Sequence, residues 1–208
     1  MNKTNEYNIE EHEFGPFVPK GTKCLIIGTF PTYRDNYANT FSWYYGNRDN
    51  MFWKVIVEIF STNFKYYEGE LAIKERKKFF EVNELGIIDI MSKCYRKNKS
   101  SSDLDLFPII YTDVVKILID NSNIEKIVLT SRTGLLSALG LLKIHFLQNE
   151  IEFIDPIRRG DKIMEGCFNF EGREIKVLVP YSPSPRVIKD KKITMKELIK
   201  MYDYCLKK

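Results

Sequence analysis

Short apolar runs recur along this chain between longer mixed segments. The run from Cys24 to Phe30 is apolar and rich in β-forming residues, and it ends at Pro31, which is typical of a strand with both faces buried. Comparable runs cover residues 86–91, 126–130 and 174–180. The pattern therefore predicts strands at these positions.

Between these runs, apolar residues recur at helical spacing. Those between residues 52 and 60 predict a helix that starts near Asp49 or Asn50 and ends around 61–63. Further helices are predicted over 70–82, 110–120, 133–146 and 194–207, and a short strand over 150–154. Because strands that alternate with helices form parallel sheets, the sequence predicts a single α/β domain over residues 1–208. We expect a three-layer sandwich, with a central, mainly parallel sheet flanked by helices.

Loops that follow predicted strands hold the residues best suited to chemistry. They cover residues 28–50, 93–103 and 181–186. Because parallel strands place their carboxyl ends at one edge of a sheet, we expect these loops to form one composite site there. The polar stretch from Arg96 to Asp105 is interpreted as a loop.

The composition narrows the chemistry available to this site. The net charge of +4, from 32 basic and 28 acidic residues, is too mild to identify a DNA-binding protein by itself. The 4 cysteines form no CxxC pair and there are only 2 histidines, which argues against a zinc ribbon, an iron–sulfur cluster or a Ser-His-Asp triad. The sequence has no GxGxxG or Walker motif, which argues against dinucleotide or NTP use. We therefore expect no metal and no cofactor.

The amino-terminal stretch has no apolar segment of the kind found in signal peptides. No window approaches the roughly 20 apolar residues that are needed to cross a bilayer. We expect a cytoplasmic protein that does not associate with membranes.

The loop sequences follow a recognisable order. Gly28-Thr29-Phe30-Pro31 is followed by Tyr44-Tyr45-Gly46 and by Asn50-Met51-Phe52-Trp53. The segment from Cys94 to Asp103 and the segment Val179-Pro-Tyr-Ser-Pro-Ser-Pro185 come later in the chain. Taken together, these motifs resemble the uracil-DNA glycosylase superfamily and are closest to its hypoxanthine (deoxyinosine) and mismatch-specific branches.

The resemblance implies a monofunctional DNA glycosylase that acts in base excision repair. Such an enzyme flips a deaminated base, hypoxanthine or uracil, out of DNA and hydrolyses its N-glycosidic bond with water. The implied partner is DNA that contains a deaminated base, and we expect the protein to be a monomer.

The first loop supplies candidates for binding the flipped base. Phe30, Tyr44 and Tyr45 are candidate aromatic walls, and Asn47 could read the polar edge of the base, since an amide both donates and accepts hydrogen bonds. Tyr181 stands where the uracil-specific branch has a histidine that stabilises the departing base, so we expect it to contact the base. Each aromatic residue could instead be part of the core.

The Gly-x-x-Pro turn lacks the acid or amide that many relatives carry there, because its central residues are Thr29 and Phe30. The group that handles the water must then come from elsewhere. Asn50 is the first candidate for this catalytic role and Asp49 is the second. Asn50 is equally typical of a helix cap.

The third loop is the predicted DNA contact. Small hydroxyl side chains at Ser182 and Ser184 allow a phosphate to approach closely, and Arg186 could bind a phosphate or fill the gap left by the flipped nucleotide. Two alternatives remain open at this stage: a non-catalytic nucleic-acid-binding module, and a small-molecule N-glycosyl hydrolase on the same fold.

Overall fold

The computed structural model describes residues 6–33, 40–153, 157–158 and 162–207, which form a mixed α/β fold with two sheets. The strands are β1 (Tyr7–Glu11), β2 (Cys24–Gly28), β3 (Leu85–Asp89), β4 (Met91–Lys97), β5 (Leu106–Tyr111), β6 (Lys126–Leu129), β7 (Ile157–Arg158), β8 (Met164–Phe170) and β9 (Arg173–Val179). The helices are α1 (Phe52–Phe60), α2 (Gly69–Val82), α3 (Val114–Asp120), α4 (Ala138–Gln148), α5 (Pro185–Lys189) and α6 (Met195–Lys207), and a short 3-10 helix covers Asp103–Asp105.

The larger sheet has the strand order β3-β2-β6-β9-β8-β7. Its first four strands are parallel, and β8 and β7 continue the sheet in antiparallel pairing. In the centre, Ile26 of β2 lies opposite Ile87 of β3 and Val128 of β6. The mainly parallel sheet and its four predicted strands are confirmed.

The apolar residues of the parallel strands are divided between two clusters. Ile26 packs in one cluster with Phe52 of α1 and Leu198 of α6, whereas Ile27 packs in the other with Leu141 of α4. Because neighbouring residues enter different clusters, every residue of β2 is buried. This burial on both faces explains why the strand reads as a continuous apolar run.

A second sheet, with the order β1-β4-β5 and antiparallel pairing, was not expected from the sequence. The predicted loop over 93–103 is wrong over its first part, because β4 continues to Lys97. The sequence of β4 is too polar to show the apolar run that predicts a buried strand. Cys94 and Arg96 are buried while Tyr95 between them is exposed, since only one face of β4 is covered.

Two predicted helices begin later than expected. Residues 110 and 111 belong to β5, and α3 starts after Asp113, whose Oδ1 accepts a hydrogen bond from the Lys116 N–H at 2.9 Å. Similarly, α4 starts after Ser137, whose Oγ accepts from the Gly140 N–H at 3.1 Å. These local caps set the boundaries. Residues 151–153 are not a strand, and residue 154 of that prediction lies outside the described residues. No helix within the described ranges is long and apolar enough to cross a membrane.

Candidate active site

The parallel strands carry polar side chains at their carboxyl ends. Thr29 follows β2, Asp89 ends β3, Thr130 follows β6 and Tyr181 lies just beyond β9. Because these strands are parallel neighbours, the side chains lie along one edge of the sheet. The loops singled out in the sequence meet at this edge, as the following contacts show.

Asp103 connects the second loop to the ends of β2 and β6. The Thr29 hydroxyl donates a hydrogen bond to Asp103 Oδ2 at 3.1 Å, and it lies 2.9 Å from the hydroxyl of Ser131. Ser131 is itself fixed, because its Oγ accepts from the Ala138 N–H at 2.7 Å. The three side chains form a hydrogen-bonded group that joins segments more than 70 residues apart.

The environment of Asp103 changes its acidity. Burial raises the pKa of the Asp103 carboxyl to about 6, and the negative charge of Asp89 acts in the same direction. Hydrogen bonds from Thr29 and Ser131 and the positive charge of Arg186 oppose this rise in pKa. Perturbed carboxyl groups of this kind are concentrated at functional sites.

Asp89 is paired with His12, which the sequence had assigned no role. His12 Nδ1 accepts from the Phe14 and Gly15 N–H groups, each at 3.2 Å, so the proton is on Nε2. Nε2 therefore donates to Asp89 Oδ2 at 2.9 Å, and both side chains are buried. Gly28 leaves the space for this carboxylate, because a Cβ at that position would lie 2.1 Å from Asp89 Oδ1.

The candidate aromatic residues occupy different environments. Tyr44 is buried, its hydroxyl donates to the Gly15 carbonyl at 2.6 Å, and burial raises its pKa well above the usual value. The Tyr45 ring stacks on Phe52 with 4.4 Å between ring centroids, and its hydroxyl is 2.7 Å from Thr130 Oγ1. Phe30 is partly exposed and meets the His12 ring edge-on. Tyr44 is thus buried and lies against the His12 ring, while Tyr45 and Phe30 are partly exposed at the edge of the sheet.

The amide side chains of the first loop hold backbone groups. Asn50 Oδ1 accepts from the Phe52 N–H at 2.8 Å in an Asx turn just before α1, whose N-cap residue is Met51 and has no side-chain cap bond, so the helix-cap alternative for Asn50 is wrong. Asn47 Oδ1 accepts from the Asp49 N–H at 2.9 Å, and the Asp49 side chain is exposed. The Met51 N–H donates to the Pro183 carbonyl at 2.9 Å, which joins the first loop directly to the third.

The third loop is ordered by its own hydroxyl groups. Ser182 Oγ accepts from the Ser184 N–H at 3.2 Å, and Ser184 Oγ caps α5 by accepting from the Arg186 N–H at 3.4 Å. The guanidinium carbon of Arg132 lies 3.6 Å from the centroid of the Tyr181 ring. Arg186 is exposed, as expected for a phosphate contact.

Two cavities adjoin this edge, and each is lined by only some of the candidate residues. A cavity of about 320 Å³ is lined by His12, Tyr44 and Asp89, among others. A cavity of about 510 Å³ is lined by Phe30 together with Glu6, Glu10, Glu11 and Glu13. Asn50, Ser182 and Asp103 line neither cavity. The candidates therefore share one edge of the sheet without all facing one of these cavities.

No protein-family model, curated protein or solved structure gives a significant match to this chain. The site is therefore interpreted from its own geometry and from the sequence motifs.

Sequence reasoning missed His12, Asp89 and Ser131 and gave Asp103 no catalytic role. Asp89 had a visible signal, because it is an acid at the end of an apolar run. Asp103 had a weaker one, since it closes the second motif. His12 and Ser131 make their contacts with residues that are distant in the sequence, and a local sequence pattern cannot reveal such contacts.

Proposed function

We propose that this protein is a DNA glycosylase that extrudes a deaminated base, hypoxanthine or uracil, and hydrolyses its N-glycosidic bond with water. In this proposal the two apolar clusters and the larger sheet form a three-layer sandwich, and the carboxyl edge of that sheet faces DNA. The enzyme acts as a cytoplasmic monomer without metal or cofactor, and it leaves an abasic site.

One observation carries the proposal: the separate segments on which the resemblance rests meet at a single edge. The first and third loops are joined by the Met51–Pro183 hydrogen bond, and the first and second by the hydrogen bond from Thr29 to Asp103. Segments that lie far apart in the sequence, and that only the resemblance had grouped together, are thus in contact in the structure. Such convergence is what a site assembled from several strand-end loops requires.

The residues at this edge suit the parts of the reaction. Phe30 and Tyr45 offer aromatic faces for an extruded base, and Tyr181 follows β9 at the same edge of the sheet. Asn50 presents an amide whose nitrogen would contact the base or water while its oxygen accepts from the Phe52 N–H in the turn before α1. Arg186 is exposed at the start of α5, where it can contact a phosphate.

The test is a cleavage assay on labelled duplexes that each contain one uracil, hypoxanthine or xanthine. After incubation with the protein, hot alkali cuts the strand at any abasic site. We expect alkali-dependent cleavage at a deaminated base and none in a matched undamaged duplex. The proposal would be refuted if none of the duplexes were cleaved and if the same labelled strands were not cleaved in single-stranded form.

A second candidate is a hydrolase of free nucleosides. It is favoured by the 510 Å³ cavity beside Phe30, which is lined by four glutamates and one lysine, Lys99. Glu10 and Glu11 are paired with Arg96 and Lys93, so the cavity offers little free positive charge to a DNA phosphate but would accept an uncharged nucleoside. Chromatography of reactions with inosine, deoxyinosine and deoxyuridine distinguishes the two functions. Release of free base from nucleosides without cleavage of the duplexes would favour this second candidate.

A further inference from the structure

The motifs of the first loop do not supply the group that would activate water at this edge of the sheet. Thr29 and Phe30 in the Gly-x-x-Pro turn carry neither an acid nor an amide. The oxygen of Asn50 holds the Phe52 N–H in the turn before α1, Asp49 is exposed, and Asp89 is paired with His12. A base within reach of the turn must therefore come from another segment.

Asp103 is the carboxylate that reaches this position. Its Oδ2 accepts a hydrogen bond from the hydroxyl of Thr29, the residue at the centre of the turn. The hydroxyl of Ser131 approaches from the end of β6. The residue as a whole is partly exposed, although its carboxyl group is buried enough to raise its pKa. The carboxylate thus occupies the carboxyl edge of the sheet although it belongs to the hairpin between β4 and β5.

The position of Asp103 is fixed by a buried cation. Arg96 donates from Nε to Glu10 Oε2 at 2.8 Å, from Nη2 to the Pro31 carbonyl at 2.7 Å and from Nη1 to the Ser100 carbonyl. One guanidinium therefore ties β1, the Gly-x-x-Pro turn and the tip of the hairpin together. It holds the hairpin tip, and with it Asp103, against the turn.

We propose that Asp103 is the general base that activates the attacking water, an inference that rests on the proposed glycosylase function. The carboxylate accepts one proton from water while the water oxygen forms a bond to C1′ of the sugar. The C1′–N bond breaks and its electron pair leaves with the base, which is then protonated. The proton on Asp103 returns to solvent, so that the net reaction consumes one water molecule.

The electrostatics agree with this role. Burial raises the pKa of Asp103 to about 6, so the group is ionised near pH 7.5 and is more basic than an ordinary aspartate. Arg186 lies near enough to lower this pKa, and it would also lie near the DNA backbone. The hydroxyl groups of Thr29 and Ser131 orient the carboxylate without neutralising it.

The experiment is single-turnover excision of the base that the wild-type protein removes fastest, measured between pH 5 and pH 9. Asp103→Asn keeps the size of the side chain but cannot accept the proton, so we expect a fall in rate of roughly a hundredfold or more, with DNA affinity unchanged within about twofold. The wild-type rate should rise through about pH 6, and this rise should be absent in D103N. Asp105→Asn is the matched control on the same 3-10 helix and should behave as wild type.

A second variant tests the same role through the partner of the carboxylate. Thr29→Val keeps the shape of the side chain but removes the hydrogen bond that lowers the Asp103 pKa, so the rise in rate should move to higher pH. If D103N is within about threefold of wild type and has the same pH profile, Asp103 is not the base although the glycosylase function stands. If wild type removes no base from any duplex, the proposed function fails, and the role of Asp103 fails with it.

Discussion

Two functions of the Asn50 side chain can be separated by its two polar atoms. Its oxygen accepts from the Phe52 N–H in the turn before α1, whereas its nitrogen is the atom that would contact the base or water. Asn50→Asp keeps the oxygen acceptor and removes the NH₂ group, while Asn50→Ala removes both. We expect both variants to lose roughly a hundredfold in excision, and only N50A to lose about 1 kcal/mol of stability, because it alone loses the hydrogen bond from the Phe52 N–H.

Single-turnover excision and thermal melts measure these two effects. Asn83→Ala is a suitable control, because the Asn83 amide donates to the Phe79 carbonyl at the end of α2, far from the third loop in sequence. It should lower the melting temperature without affecting excision. Normal excision by N50A with a lowered melting temperature would give Asn50 a structural role only, in the turn before α1, and attention would move to Asp49 or Asn47.

The raised pKa of Asp103 has a consequence for stability. The folded protein holds the Asp103 proton up to about pH 6, whereas the unfolded chain releases it at the ordinary value of about 4. Stability therefore falls as the pH rises from about 4 to about 6, by up to about 3 kcal/mol from this group. Asp103→Asn avoids this cost, so D103N should be more stable than wild type at pH 7.5, with the difference shrinking towards pH 4.

Urea unfolding at several pH values checks this expectation, with Asp105→Asn as the control that should show no such trend. Equal stability of D103N and wild type at pH 7.5 would contradict the raised pKa. A more stable and less active D103N would be the usual relation at a site where a charged group is held for chemistry.

At the scale of elements, the hairpin of β4 and β5 brings Asp103 to the site. Its inner face carries Arg96, which is 1% exposed and donates to partners in three segments. Its outer face carries Lys93, which pairs with Glu11 at 2.7 Å in a more exposed position. The same strand thus holds one buried and one exposed ion pair with β1.

Replacement of these two cations should have unequal effects. Arg96→Met leaves Glu10 without its partner and two carbonyls without their donor, so we expect a loss of about 3 to 5 kcal/mol. Lys93→Met should cost less than about 1 kcal/mol, because the pair it breaks is largely solvated. Denaturant unfolding measures both. Similar losses in the two variants would show that Arg96 does not tie the hairpin to the turn.

This hairpin also marks the limit of what the sequence could reveal. The strands of the larger sheet were predicted because both faces are buried, so that the apolar run of β2 is visible by itself. The strand β4 is buried on one face only, and its inner position 96 is filled by an arginine, so its pattern is not apolar. The convergence of loops followed from parallel strands, but the contact of Asp103 with Thr29 depends on this unseen hairpin.

At the scale of the molecule, charge is distributed unevenly around the site. The net charge is only +4, and Glu6, Glu10, Glu11 and Glu13 lie together on the side of β1. Arg186 is exposed on α5, and Lys189, Lys191 and Lys192 follow it. On the β1 side Arg96 and Lys93 are paired with Glu10 and Glu11, so that side offers a polyanion little attraction, whereas the cations on and after α5 attract it. We expect the DNA backbone to pass along the α5 side.

Because few cations lie on the α5 side, we expect the protein to bind DNA with modest, salt-sensitive affinity. With about two to four phosphate contacts, affinity for a duplex should fall roughly ten- to hundredfold between 50 and 200 mM salt. Arg186→Gln should weaken binding at low salt and reduce the salt dependence by about one contact. Lys176→Gln, which removes an exposed cation from the body of β9, is the control and should change neither quantity. Fluorescence anisotropy with a labelled duplex measures all three proteins. An affinity that is the same at both salt concentrations would mean that phosphates are not contacted, and it would favour a free nucleoside as the substrate.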